Sequence, residues 1–262
     1  MTQRPDDVPV GRPADLFSLT GKVVLLTGGS SGLGARWAEV LVAAGAQVVI
    51  AARREAELQA VADRTGARAV TADLTSDADR RRVVEATIDS FGRVDVLINN
   101  AGTAASEPAL EMDLDAFRSL LDADLTSLFA LTQLVGRRMV EAGGGGSIVN
   151  ITSLGAERSL DRYPLAAYSA AKAGVAALTR SLAAEWGRSG VRVNDIAPAF
   201  FPTRLSGFLE DAEQVRWIEQ HTALGRTARL DEIDGAIVFL ASDASSYVTG
   251  QSITVDGGWS VY

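Results

Sequence analysis

An α/β fold built on a doubly wound parallel sheet is predicted by three observations. From Gly21 onward, strand-length apolar runs alternate with amphipathic helical stretches. The strand runs are apolar at consecutive positions, as in Val23-Val24-Leu25-Leu26 and Val96-Leu97-Ile98, and such strands need cover on both faces. A glycine-rich turn separates the first of these runs from the first helical stretch. Right-handed crossovers between parallel strands then place helices on both sides of one sheet.

The elements follow in order. Residues 22–27 read as the first strand, and residues 32–45 as a helix ended by glycine. Gln47–Ala52 is the second strand, Glu55–Thr65 a helix, and residues 67–72 the third strand. Asp77–Phe91 is helical, and residues 94–99 form the fourth strand. A single long helix is expected over residues 113–141, a glycine turn at 143–146, and the fifth strand at 147–152. Residues 165–186 read as helix and 191–196 as the sixth strand. Residues 199–229 lack a clear period, 231–241 read as a short helix, and Ser252–Val255 as the last strand. No internal repeat breaks this alternation, so residues 19–262 are expected to form one domain, preceded by a flexible arm over residues 1–18.

Bulk properties narrow the chemistry. The 262 residues carry 25 basic and 33 acidic side chains, a net charge of -8, which argues against nucleic acid or an anionic membrane as partner. There is no cysteine, so thiolate catalysis and cysteine-ligated metals are excluded. His221 is the only histidine, which rules out a multi-histidine metal site, and it is read as a loop residue. The first eighteen residues lack the apolar core of a signal peptide, and no run is long enough to cross a bilayer. A cytoplasmic enzyme is the expectation.

Two clusters carry the chemistry. The first strand leads into Thr27-Gly28-Gly29-Ser30-Ser31-Gly32-Leu33-Gly34 and then a helix, the context of a Rossmann-like dinucleotide fingerprint. Gly28 permits a tight turn, Gly32 lets the backbone approach a pyrophosphate, and Gly34 lets helix and sheet pack closely. The helix N-terminus offers N–H groups to the phosphates. The end of the second strand, where an adenosine ribose is met in such sheets, reads Ala51-Ala52-Arg53-Arg54. No acidic residue is there to take a free 2′-hydroxyl; Arg53 suits a 2′-phosphate, with the guanidinium of Arg54 next to it among the expected cofactor contacts. NADP(H) is therefore favoured over NAD(H), although the same pair also fits the solvated start of a helix.

The second cluster is Tyr168 and Lys172, four residues apart on one helix face, in a chain with only 4 tyrosines and two lysines. A cation fixed beside a phenol makes it a better proton donor, which suits chemistry at a carbonyl or an alcohol.

In combination these residues resemble the short-chain dehydrogenase/reductase family over nearly all of residues 19–262. The likeness rests on the glycine turn, Asn99-Asn100-Ala101-Gly102, Ser153, Tyr168-x-x-x-Lys172, Asn194-Asp195-Ile196-Ala197-Pro198 with Thr203, and Val255-Asp256-Gly257-Gly258. It implies a hydride transfer with NADP(H) in which Tyr168 is the general acid/base, Ser153 holds the substrate oxygen and Lys172 binds the nicotinamide ribose. It also implies cofactor contacts from Ser30, Ser31, Leu33, Asp73, Leu74, Asn100, Ala101, Gly102, Pro198, Phe201 and Thr203. Asp73 equally suits a cap on the following helix, and Ser153 suits ordinary turn chemistry. Two positions depart from the family pattern. Asp124 stands where asparagine is usual, and its carbonyl is expected to hold a water in the proton relay; Ala199 replaces the usual glycine.

Residues 199–229 contain Phe200, Phe201, Leu205, Phe208, Leu209 and Trp217, and read either as a lid over the substrate or as packing against the core. The segment 157–165 is expected to form the opposite wall. The resemblance implies a homotetramer acting on a small carbonyl or alcohol. An NAD-dependent alcohol dehydrogenase and a catalytically silent dinucleotide-binding regulator are the competing readings.

Overall fold

A computed structural model describes residues 12–160 and 162–261. Seven parallel strands form one sheet in the order β3-β2-β1-β4-β5-β6-β7. They are β1 (Val23–Thr27), β2 (Gln47–Ala52), β3 (Arg68–Thr71), β4 (Val96–Asn99), β5 (Gly146–Ile151), β6 (Val191–Pro198) and β7 (Ser252–Val255). Strand order reverses between β1 and β4, so a crevice opens at the carboxyl ends of these two strands.

The period-2 alternation of the strands divides the core. Val24 and Leu26 of β1 face one layer, with Trp37 and Leu41 of α2 (Gly32–Ala43), Leu58 of α3 (Glu55–Thr65) and Ile237 of α9 (Asp234–Ala241). Leu25 faces the other layer, with Val83 of α4 (Asp77–Phe91), Leu131 of α6 (Ser127–Ala142) and Leu182 of α7 (Ala166–Trp186). Side-chain caps set two of the helix starts. Ser76 Oγ accepts from Asp79 N at the head of α4, and Asp113 Oδ1 accepts from Asp115 N and Ala116 N at the head of α5 (Leu114–Leu121).

A buried polar chain crosses the second layer. Asn99 Nδ2 donates to Thr132 Oγ1 at 2.8 Å and to Asn150 Oδ1 at 2.9 Å, and Asn150 Nδ2 donates to Thr179 Oγ1 at 2.9 Å. It bonds β4 to α6, and β5 to both β4 and α7. A wrong register would strand these amides without partners, so the chain fixes how α7 sits on the sheet.

Three expectations need correction. The helix expected over 113–141 is two helices, α5 and α6, joined by a π-helical turn at Asp122–Thr126. Ser127 explains the break: its N–H reaches back five residues to Asp122 O, and its hydroxyl donates to Asp122 O at 2.8 Å and Ala123 O at 2.7 Å. The segment 199–229 is more regular than expected. It holds a 3-10 segment at Arg204–Glu210 and α8 at Ala212–His221, capped by Asp211 through Glu213 N at 2.8 Å. His221 is thus the last residue of a helix rather than part of a loop. Of the arm expected to be flexible over residues 1–18, residues 1–11 lie outside the described residues. Pro13–Leu16 forms a helical turn, α1, and the Phe17 ring lies 6.4 Å from that of Phe239.

Candidate active site

The crevice is built from strand ends. Thr27, the last residue of β1, has its Oγ1 donating to Ile98 O at 3.2 Å and accepting from Asn100 N and Ala101 N, each at 3.0 Å. Asn100 Nδ2 donates to Thr27 O at 3.0 Å and to Gly28 O at 3.3 Å. The side-chain amide N–H groups of Asn100 therefore hold the glycine turn itself. Gly28 has φ +70, and a Cβ there would stand 2.6 Å from Asn100 Nδ2. A Cβ on Gly34 would run into the Gly28 carbonyl, so helix α2 approaches the turn closely only because this residue is glycine.

Among the described residues no side chain caps α2, so its N-terminal N–H groups are available to an anion, and this cradle fits a pyrophosphate. Ser30 and Ser31 are bonded to the residue that precedes α3. Their Oγ atoms accept from Arg54 Nη2 at 3.0 and 2.7 Å. Arg54, rather than Arg53, lies against the turn. Asp73 is held below the ordinary carboxylate range by the Thr75 N–H and then by the Thr75 hydroxyl, and Arg53 adds a smaller effect of the same sign. Asp73 does not cap α4; Ser76 does. Leu74 is half-buried against the second layer, and its carbonyl accepts from Arg80 Nη1 at 2.6 Å. Leu33 packs on the first layer.

The residues expected to be reactive lie at the end of β5 and on α7. Lys172 Nζ is buried, donates to Ile151 O at 3.1 Å, and stands 5.6 Å from the centroid of the Tyr168 ring. Asp124, on the π-helical turn, is buried beside it. Its Oδ1 accepts from Thr103 N at 2.8 Å and Thr103 Oγ1 at 3.2 Å, while Oδ2 stands 3.4 Å from Lys172 Nζ without hydrogen-bond alignment. Gly102 lines the same group; a Cβ there would be 3.1 Å from Asp124 Oδ2 and 3.2 Å from Lys172 Nζ. Ser153 caps a 3-10 turn at Leu154–Ala156, its Oγ accepting from Gly155 N at 3.1 Å, which leaves its O–H to donate elsewhere. Lys172, Asp124, Gly102 and Tyr168 are therefore gathered in one place, with Ser153 two residues beyond the carbonyl that holds the lysine.

Three further expected contacts lie at or beyond the end of β6. Pro198 ends β6 and pairs with Val255 of β7. The Phe201 side chain is buried in the first core layer, so it points away from the crevice. Thr203 stands over the glycine turn; a Cβ on Gly32 would be 3.4 Å from Thr203 Cβ. The segment 157–165 does not form a separate opposite wall. Tyr163 packs on the segment 204–221, its ring 5.0 Å from Phe208 and 6.0 Å from Trp217 and its hydroxyl donating to Gln214 Oε1 at 2.8 Å. Leu154 and Ala199, neighbours of Ser153 and Pro198, pack in the same aromatic cluster. A cavity of about 230 Å³ is lined by Phe200, Ile218 and Arg226 but by none of Ser153, Tyr168 and Lys172.

The bracing role of Thr27, and the parts played by Thr103, Thr152 and Asn150, were not among the expectations from sequence. Asn150 carried the clearest signal, a lone amide inside the apolar run Ile148-Val149-Asn150-Ile151. Thr152 Oγ1 donates to the buried Asp195 Oδ1 at 2.7 Å, as does Ser252 Oγ at 2.6 Å.

A dinucleotide cradle at the sheet's switch point, with a phenol and an ammonium beside it, defines a Rossmann-type oxidoreductase. The chain belongs to the short-chain dehydrogenase/reductase family and is an oxidoreductase of the kind that acts on CH–OH groups. A family model described as enoyl-(acyl carrier protein) reductase matches residues 28–260. The chain is 39% identical to the D-threitol dehydrogenase of Mycolicibacterium smegmatis over 250 residues, 94% of this chain and 95% of the relative. It is 38% identical to the gluconate 5-dehydrogenase of Gluconobacter oxydans over 94% of this chain and 98% of the relative. Among solved structures, a gluconate 5-dehydrogenase from Burkholderia cenocepacia in complex with NADP and tartrate superposes with a TM-score of 0.90 at 34% identity, covering 96% of this chain and 100% of that one. Among the described residues no helix is long and apolar enough to cross a membrane.

Proposed function

We propose that the enzyme transfers hydride between NADP(H) and a secondary alcohol or its ketone, with Tyr168 moving the proton. The observation that carries this reading is the position of Lys172, held by the Ile151 carbonyl with its ammonium 5.6 Å from the Tyr168 ring centroid. When bound, the nicotinamide supplies or accepts the hydride. In reduction the Tyr168 phenol gives its proton to the substrate oxygen; in oxidation the phenolate takes the alcohol proton. The Ser153 hydroxyl donates to the same oxygen and fixes its place. Lys172 stabilises negative charge on Tyr168 and is suited to hold ribose hydroxyls. The Asp124 carboxylate orients Lys172 and ties it through Thr103 to the end of β4.

Three features support NADP(H) over NAD(H). The two residues directly after β2 are arginines rather than acids, Arg54 lies on Ser30 and Ser31, and a related solved structure contains NADP. The relatives named for threitol and gluconate support a hydroxylated substrate of sugar-alcohol or sugar-acid type. The dehydrogenases among the relatives leave a silent regulator without support. Exposed Leu114 and Phe129 on α5 and α6 support self-association, for which a homotetramer is the expected state and sedimentation the direct measurement.

Nicotinamide absorbance tests the reaction, with polyols, sugar acids and ketones each offered with both cofactors. Turnover with NADP(H) on a hydroxylated substrate is expected. Tyr168→Phe should retain cofactor binding and lose about 10²–10⁴-fold in turnover. Wild-type turnover in that variant would remove Tyr168 from the mechanism.

A further inference from the structure

The first residues of the lid reach the mouth of the dinucleotide turn. Arg204 opens the 3-10 segment Arg204–Glu210, and its Nη1 stands 4.0 Å from Glu57 Oε1 in the first turn of α3. The same oxygen lies 3.4 Å from Nη1 of Arg54, whose Nη2 is bonded to the two serine hydroxyls of the turn. Thr203, one residue earlier, stands over Gly32. Two guanidiniums from segments far apart in sequence thus flank one carboxylate beside the expected ribose position.

The arrangement is unbalanced in charge. Glu57 supplies one negative charge to two cations, and at 4.0 Å with a 70% exposed side chain Arg204 is only loosely engaged. A phosphate monoester carries close to two negative charges and three acceptor oxygens, and so can satisfy both guanidiniums at once. An unphosphorylated ribose cannot.

We propose that Arg204, carried by the lid, joins Arg54 in binding the 2′-phosphate of NADP(H), and that Glu57 occupies the two guanidiniums until the phosphate displaces it. This rests on the NADP(H) reading above. It makes the lid itself a reader of the cofactor: the 2′-phosphate replaces Glu57 as the partner of Arg204 and pins the start of the segment that closes over the substrate. NAD(H) offers no such anchor.

Fluorescence titration of NADPH and NADH into the wild type, Arg204→Gln and Glu57→Gln tests it. Arg204→Gln should raise the Kd for NADPH about tenfold and leave that for NADH unchanged. Glu57→Gln should lower the Kd for NADPH alone, since a carboxylate that competes with the phosphate is gone. Equal weakening of both cofactors by Arg204→Gln, or no change in either, overturns the assignment of Arg204. An unchanged NADPH Kd in Glu57→Gln overturns the part given to Glu57. A wild type that binds NADPH no more tightly than NADH overturns the cofactor reading itself, a result separate from the other two.

Discussion

Asp124 shows how one residue can be conspicuous in sequence and still owe its role to distant partners. As a departure from the family's asparagine it draws notice, but nothing local says that its carboxylate meets Lys172 at 3.4 Å while Thr103 donates twice to its other oxygen. Both charges are buried, so removing one leaves the other without compensation. Asp124→Ala should cost about 3 kcal/mol in urea unfolding. Asp124→Asn should cost less, because its amide oxygen still accepts from Thr103. Equal losses in the two variants would mean that the carboxylate charge, and not the Thr103 contact, holds the turn. Tyr168 and Lys172 lie at the opposite extreme. Four residues apart on one helix, their proximity follows from helix geometry alone.

At the scale of elements, the strands and α2, α3 and α4 were readable because apolar period, caps and glycine stops agree. The break between α5 and α6 was not. It depends on a hydroxyl capturing carbonyls five and four residues back, a choice that an apolar period does not record. Helix α8 was missed because Ile218 is its only fully buried residue. The turn between β1 and α2 carries a direct prediction. A methyl on Gly34 meets the Gly28 carbonyl and Asn100 Nδ2, neither of which can yield without moving the turn. Gly34→Ala should therefore weaken binding of both nicotinamide dinucleotides and lower stability by about 1–3 kcal/mol. Titration and thermal melting read the two effects, and unimpaired cofactor affinity would show that the turn tolerates the displacement.

Across the whole molecule, Asp195 is a cost the fold carries at neutral pH. It sits on β6 between β5 and β7, where burial pushes its carboxyl above the ordinary carboxylate range although the Ser252 and Thr152 hydroxyls favour the charged form. A carboxyl raised on folding penalises stability once pH exceeds its unfolded value, and the penalty fades as pH falls back through the folded one. Asp195→Asn keeps an oxygen for both hydroxyls and removes the charge. It should raise the melting temperature at pH 7, by about 2–4 °C for each kcal/mol recovered, and the gap should close towards pH 4. A constant gap across that range would assign the change to packing instead.

The amino-acid order alone determined the parallel sheet, the glycine cradle and the Tyr168–Lys172 pair. Each depends on periods and spacings that span a few residues, where backbone geometry leaves little choice. Only the tertiary structure decided that Asn100 braces the turn, that Arg54 rather than Arg53 lies on the serines, that Phe201 faces the core, and that Asp124, Glu57 and Arg204 come within reach of their partners. These contacts join segments far apart in the chain, and their geometry is set by how helices pack on a twisted sheet, which no local pattern encodes.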